Sequence, residues 1–190
     1  MASSSDIRRL FLVRHGQTAL NAAGRLRGLA DPPLDDVGVA EAKAVAEDLG
    51  SQDIGAVYCS PLQRAVHTAQ AIAEASGAEW TADPRFNDRD YGPWTGHIRD
   101  EVIAEFGSVD DAPGVEPKAT VLERARPALD SVLDAHPDAA VAIVTHDAVI
   151  RPLLAAIDPS VGEVEVPTGS WSELRRDAGE WTIVRTDQKP

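Results

Sequence analysis

Two histidines, each standing directly after an apolar run, carry most of the chemistry this sequence can offer. His15 follows Leu10 to Val13 and Arg14 in LFLVRHGQTALN, and His146 follows Ala139 to Thr145 in AAVAIVTH. Arg64 comes shortly after a third apolar run, in GAVYCSPLQR. Guanidinium forks hold a phosphate monoester dianion by paired charge-assisted hydrogen bonds, so Arg14 and Arg64 suit a clamp. Backbone NH groups around Gly16 and a helix N-terminus would add donors, Gly16 permitting close approach of the backbone. A neutral histidine against such a clamp can be a nucleophile, and two neighbouring cations favour its neutral form. His15 would take the phosphoryl group on a ring nitrogen, and His146 would donate to the phosphoryl oxygens. Phosphoryl transfer is mainly positioning and charge stabilisation, so these cations leave no need for a metal or other cofactor. The sequence has no HExxH, P-loop or EF-hand pattern.

An acid must also protonate the leaving oxygen and later activate water. Asp88, in the polar, glycine-containing loop FNDRDYGPWTG, is the candidate.

Elements must bring these residues together. Leu10 to Val13, Ile54 to Cys59 and Ala139 to Thr145 are continuous apolar runs, the pattern of strands covered on both faces. Helical stripes follow over Gly38 to Leu49, closed by Gly50, and over Ser60 to Ala75, with Ser60, Pro61 and Gln63 as start signals. Another runs from about Ala119 to Ala135, where Pro127 should kink or divide it, and a last one over Val149 to Ile157, with Pro152 inside. Ala78 to Pro117 reads as loops around a short helix near Ile98 to Phe106, with residues 89–118 forming a lid. The tail offers β segments near Val161 to Val166, Ser170 to Arg175 and Trp181 to Arg185, with a turn at Ala178 and Gly179. Alternating strands and helices predict an α/β sandwich, mostly parallel, with an edge completed by the C-terminal segments. Ligands bind beyond the carboxyl ends of such strands, where Arg14, His15, Arg64 and His146 all fall.

Composition sets the limits. With 190 residues, 43% hydrophobic and 26% charged, the chain suits one globular domain over residues 1–190, with Met1 to Asp6 frayed. The net charge of -13 argues against nucleic acid or an anionic membrane as partner, yet a pocket can concentrate a few arginines and accept a small phosphorylated metabolite. No apolar run is long enough to span a bilayer and no secretion signal stands at the start, which predicts a cytoplasmic protein. The single cysteine, Cys59, reads as a buried thiol.

LVRHGQTALN, SPLQRAVHTA and VTHDAVIRPLL, in this order, resemble the histidine phosphatase superfamily, in its phosphoglycerate-mutase-like branch. The resemblance extends from about Arg9 to Trp181. It implies an α/β three-layer sandwich with a mostly parallel central sheet flanked by helices, a phosphohistidine at His15, a phosphate pocket of Arg14, Arg64 and His146, and contributions from Thr18, Asn21 and Gly28 to the surrounding ligand loop. It also aligns Asp88 with the proton donor, and Tyr91 and Gly92 with the loop behind it. Two departures stand out: aspartate replaces the usual glutamate at Asp88, and Asp147 follows His146 where glycine is usual. The HD pair is similar to that of the acid phosphatase and phytase branch, so Asp88 and Asp147 both contend for the donor role, with Asp88 ranked first.

The segment Arg89 to Thr145 is short for a lid and holds few basic residues, which favours hydrolysis over mutase chemistry. Tyr91, Trp94, His97 and Ile98 would line a site for a small organic phosphate. A phosphoglycerate-type mutase, a phosphohistidine protein phosphatase and a catalytically weak phospholigand-binding module are the alternatives. Oligomeric state is left open.

Overall fold

A computed structural model describes residues 7–190, so the expectation for Met1 to Asp6 lies outside the described residues. The chain runs β1 (Arg8–Arg14), α1 (Ala19–Ala22), α2 (Asp36–Leu49), β2 (Ile54–Cys59), α3 (Gln63–Ser76) and β3 (Glu79–Ala82). Two short 3-10 turns, Pro84–Phe86 and Gly92–Trp94, lead to α4 (Arg99–Phe106), α5 (Lys118–Asp134), β4 (Ala140–Thr145) and α6 (Asp147–Ile157). A third 3-10 turn precedes the hairpin of β5 (Trp171–Asp177) and β6 (Glu180–Gln188). The six strands form one sheet in the order β3-β2-β4-β1-β5-β6. β3, β2, β4 and β1 run parallel, and β5 and β6 complete one edge antiparallel.

The apolar runs are central strands because both faces are covered. Along β1, Leu10 and Leu12 enter a core with Val121, Leu129, Ile150 and Leu153 of α5 and α6. Phe11 and Val13 enter a second core with Val45, Leu49, Ala69 and Ile72 of α2 and α3. Period-2 alternation thus puts each strand's side chains into two different layers of helix, which makes the three-layer sandwich. Every residue of β4 is buried. A small third core of Leu26, Tyr91, Val102 and Ala112, with Trp94 and Phe106 against it, consolidates the lid.

Several local expectations are corrected. α3 begins at Gln63 with Leu62 as its N-cap, and no Ser60 capping box forms. Instead the Gln63 NH donates to Asp31, and the Ser60 hydroxyl donates to Asn87 while accepting from the Leu62 NH. α5 is undivided across Pro127. Val161 to Val166 is not a strand, whereas Glu79–Ala82, read as loop, is an exposed edge strand beside β2. Gly50 does cap α2, but with ordinary right-handed angles. A side chain there would press on the Ala46 and Ala75 carbonyls at 3.1 and 3.3 Å, so close packing of α2 on α3 explains the glycine.

Candidate active site

Register decides which side chains meet. β1 and β4 are adjacent and parallel with Arg14 opposite Thr145, so the next residue on each strand is a histidine. The rings of His15 and His146 lie 5.0 Å apart and both are fully buried. The His15 NH donates to the Thr145 carbonyl at 3.1 Å, locking the two strand ends together. β2 leaves the sheet at the same edge, and the turn into α3 brings Arg64, also fully buried, beneath the pair.

The clamp arginines are aimed by backbone carbonyls. Arg64 donates from Nη1 to Ala30 O at 2.7 Å and from Nη2 to Gly28 O at 2.8 Å and Asp88 Oδ2 at 2.9 Å. Arg14 donates from Nη1 to Val166 O at 2.7 Å. The Nε atoms of Arg14 and Arg64 are buried with no hydrogen-bond partner, as are His15 Nε2 and both ring nitrogens of His146. Buried polar atoms are nearly always paired, so a cluster of five orphans on four neighbouring side chains marks a polar ligand's place.

The nucleophile's proton is placed by geometry. His15 Nδ1 lies 2.6 Å from the Gly16 carbonyl. A carbonyl can only accept, so Nδ1 carries the hydrogen and Nε2 keeps its lone pair. Burial, then the charges of Arg64 and Arg14, hold the ring well below the usual histidine range. His146 is lowered likewise, by burial first and then Arg64.

The two donor candidates separate electrostatically. Burial raises Asp88 above the ordinary carboxyl range, although Arg64 and Arg27 oppose it. For Asp147 burial works in the same direction, but Arg14, Arg27 and Arg151 outweigh it and hold the carboxylate well below that range. Asp147 accepts from Arg27 Nη2 at 3.1 Å and lies 3.7 Å from Arg14 Nη2. Asp88 Oδ2 stands 3.5 Å from His146 Nδ1, beside the proposed nucleophile's partner. Burial thus favours a proton on Asp88 more than on Asp147. The Asp88 loop is gripped by Arg124 of α5, which donates to the carbonyls of Arg85, Asn87 and Asp88 at 3.0, 2.7 and 3.0 Å.

The other expected ligand residues divide. Thr18 and Asn21 form a capping box on α1, with Asn21 Oδ1 accepting from the Thr18 NH and hydroxyl at 2.9 and 2.8 Å. Their polar groups therefore serve the loop's own shape. Gly28 has φ +49, and its carbonyl aims Arg64. A side chain there would meet Tyr91 at 3.1 Å. Gly16 does permit close approach, but to Gly38 of α2, and its NH donates to Thr68 at 3.2 Å rather than standing free for a ligand. Tyr91 and Asp147 line a cleft of about 560 Å³ that opens from Arg14. Trp94, His97 and Ile98 do not line it: Trp94 packs on Phe106 and donates to the Pro113 carbonyl. Arg27 was missed. It sits beside Gly28, pairs with Asp147 and lowers both histidines, and its only sequence signal was a basic residue in a glycine-rich loop. Cys59 is buried, its thiol pushed up to about 12 by burial.

Comparison with known proteins shows the family. The profile of the histidine phosphatase superfamily (branch 1) matches residues 10–189. Phosphoserine phosphatase 1 of Hydrogenobacter thermophilus is 32% identical, over 78% of this chain and 75% of that protein. The metal-independent phosphoserine phosphatase of Arabidopsis thaliana is 33% identical, over 94% and 81% respectively. Among solved structures, mycobacterial glucosyl-3-phosphoglycerate phosphatase in complex with VO3 superposes with a TM-score of 0.83 at 26% identity, covering 96% of this chain and all of that one (100%).

Proposed function

This chain belongs to the histidine phosphatase superfamily, and we propose that it hydrolyses small-molecule phosphate monoesters through a phosphohistidine on His15. It is a phosphoric monoester hydrolase by kinship with phosphatase-named relatives, and the residue roles follow from the geometry. His15 Nε2 attacks phosphorus while Asp88 protonates the departing alkoxide. The bond from phosphorus to the leaving oxygen breaks as the bond to Nε2 forms. Asp88, now a carboxylate, takes a proton from water, whose oxygen attacks the phosphohistidine, releasing inorganic phosphate and restoring His15. Arg14, Arg64 and His146 surround the phosphoryl oxygens as charge moves through them. The observation that carries this reading is the buried His15 Nε2 lone pair, unpartnered and fixed by the Nδ1 bond to Gly16 O.

Chemistry without a metal belongs to the same proposal, supported by the cations already gathered around the phosphoryl site and by the name of the Arabidopsis relative. A metabolite partner suits a cleft of about 560 Å³, and the charge of -13 disfavours nucleic acid and anionic membranes. No helix among the described residues is long and apolar enough to cross a membrane. A cytoplasmic location is part of the proposal, supported by the lone thiol of Cys59 and by a composition that offers no disulfide. The decisive experiment is hydrolysis of 4-nitrophenyl phosphate with acid-quench trapping of labelled phosphoenzyme. Wild-type protein should turn over and trap label, and His15→Ala should do neither while keeping its circular dichroism. Turnover that survives in His15→Ala would overturn the mechanism.

A further inference from the structure

The peptide group that fixes the tautomer of His15 has a second partner. Its carbonyl, of Gly16, lies 2.6 Å from His15 Nδ1, and its NH, of Gln17, donates to Glu41 Oε2 on α2 at 2.8 Å. A trans peptide is planar, with C=O and NH pointing in opposite directions, so a bond that holds the NH also aims the carbonyl. Carboxylate, peptide and imidazole thus form one continuous chain behind the nucleophile. When Nε2 bonds to phosphorus the ring gains positive charge, which burial and the charges of Arg64, Arg14 and Arg27 all disfavour, and the Gly16 carbonyl is the contact that favours it. Its aim therefore bears on the reaction.

Glu41 is itself held in place. Its Oε1 accepts from the Thr168 hydroxyl at 2.9 Å and from Lys189 Nζ at 2.6 Å, and its side chain is only 11% exposed. Lys189 also donates to the Thr168 carbonyl at 2.8 Å, and the next NH, of Gly169, donates to the carbonyls of Arg14 and His15 at 3.2 and 3.1 Å. The corner that grips Glu41 thus also braces the strand end that carries the nucleophile. α2 approaches the loop closely at Gly38, where a side chain would come within 2.0 Å of the Gln17 carbonyl oxygen. Glu41 stands three residues on, over the same face of the helix. Asp35, the N-cap of α2, accepts from the Gly38 NH at 2.8 Å and from Gln17 Nε2 at 3.2 Å. A nearly buried carboxylate is costly unless its oxygens are met, and here one of the two is met by the nucleophile's own loop.

We propose that Glu41 is a positioning residue for the nucleophile: by holding the Gln17 NH it aims the Gly16 carbonyl at His15, which keeps the ring hydrogen on Nδ1 and leaves Nε2 free to attack. The proposal rests on the phosphatase reading above. Glu41 touches neither substrate nor the reacting atoms and acts through one peptide group.

The test sets reach against charge. Glu41→Asp keeps the charge but falls one methylene short of the Gln17 NH, whereas Glu41→Gln keeps an acceptor oxygen within reach and loses the charge. Rapid-quench kinetics with 4-nitrophenyl phosphate read the rate of phosphoenzyme formation, and the Ki of inorganic phosphate reads the clamp. Long-range proton–nitrogen correlation spectra read the His15 tautomer. Glu41→Asp should slow phosphoenzyme formation about tenfold or more with Ki within about twofold of wild type, because a misplaced nucleophile loses rate rather than binding. Its His15 should be found partly in the Nε2–H form, where wild type shows Nδ1–H. Glu41→Gln should stay within about threefold of the wild-type rate and keep Nδ1–H, since its amide oxygen can still accept. A Glu41→Asp variant with wild-type rate and tautomer, a defect carried by Ki instead of rate, or a Glu41→Gln variant as impaired as Glu41→Asp would overturn the proposal. Circular dichroism reports whether Glu41→Asp folds; if it does not, loss of the Nδ1–H form in Glu41→Gln is the refuting result. The spectra need no turnover, so a wild-type protein that fails to hydrolyse 4-nitrophenyl phosphate sinks the phosphatase reading, and the His15 tautomer in the two variants still judges the role of Glu41.

Discussion

At the scale of single residues, the site works by setting neighbouring titratable groups apart. Asp88 and Asp147 both lie near the buried histidines, yet burial raises one above the ordinary carboxyl range while three arginines hold the other well below it. Asp88→Asn should therefore slow substrates with poor leaving groups by about a hundredfold or more while slowing aryl phosphates less, as loss of a general acid does. Asp147→Asn should show no such dependence, and a leaving-group series in steady-state kinetics separates the two. The histidines also tie stability to pH. Their folded values are lowered, so below about pH 6.5 the unfolded chain binds more protons than the folded one. Stability should fall on acidification from about pH 7 to 5.5 by up to about 1.4 kcal/mol per unit for each histidine. Asp88, raised in the folded state, acts in the opposite sense as pH falls through its own value. Urea titrations of wild type and His146→Asn should differ in this slope by about one proton.

At the scale of elements, strand register and one helix do the positioning. The β1–β4 register puts the two histidines side by side, and α5 holds the acid from behind. Arg124 meets three successive stretches of carbonyl on the Asp88 loop, with the Glu116 carboxylate 3.4 Å from its Nη2. Arg124→Gln should lower turnover of poor leaving groups at least about tenfold, because a displaced general acid loses reach. It should also cost about 2 kcal/mol of stability as charged hydrogen bonds to backbone are lost. Leaving-group kinetics set beside denaturant midpoints would check both halves. These contacts were not legible in the sequence, where Arg124 is one more polar position in the helical stripe from about Ala119 to Ala135. Its carbonyl partners lie 36 to 39 positions earlier, and nothing local announces them.

At the scale of the whole molecule, an acidic protein carries a basic cleft lined by Arg14, Arg27, Arg99 and Arg151 among others, and the field there should draw in dianionic substrates. Raising ionic strength from about 0.01 to 0.15 M shortens the Debye length from about 30 to 8 Å and should lower kcat/KM severalfold, mostly through KM. A stopped-flow or steady-state salt series, set beside the same series for Arg99→Gln, would read that steering directly; a salt-independent kcat/KM would remove it.

The sequence by itself determined the α/β class and four residues that the structure brings together. Apolar runs ending in charged residues carry both messages at once: a strand buried on both faces, and the point at which it surfaces. Arg14, His15, Arg64 and His146 were legible because each lies within a few residues of such an end. Only the tertiary structure set Asp88 and Asp147 in different electrostatic surroundings, paired Thr18 with Asn21 in a capping box, and placed Arg27 beside Asp147. Protonation state and orientation depend on charges and carbonyls supplied by distant segments, from Arg27 to Asp147 and from Asp187 to Val166. Periodicity along a chain reports which face is buried; it carries no term for which groups meet across space.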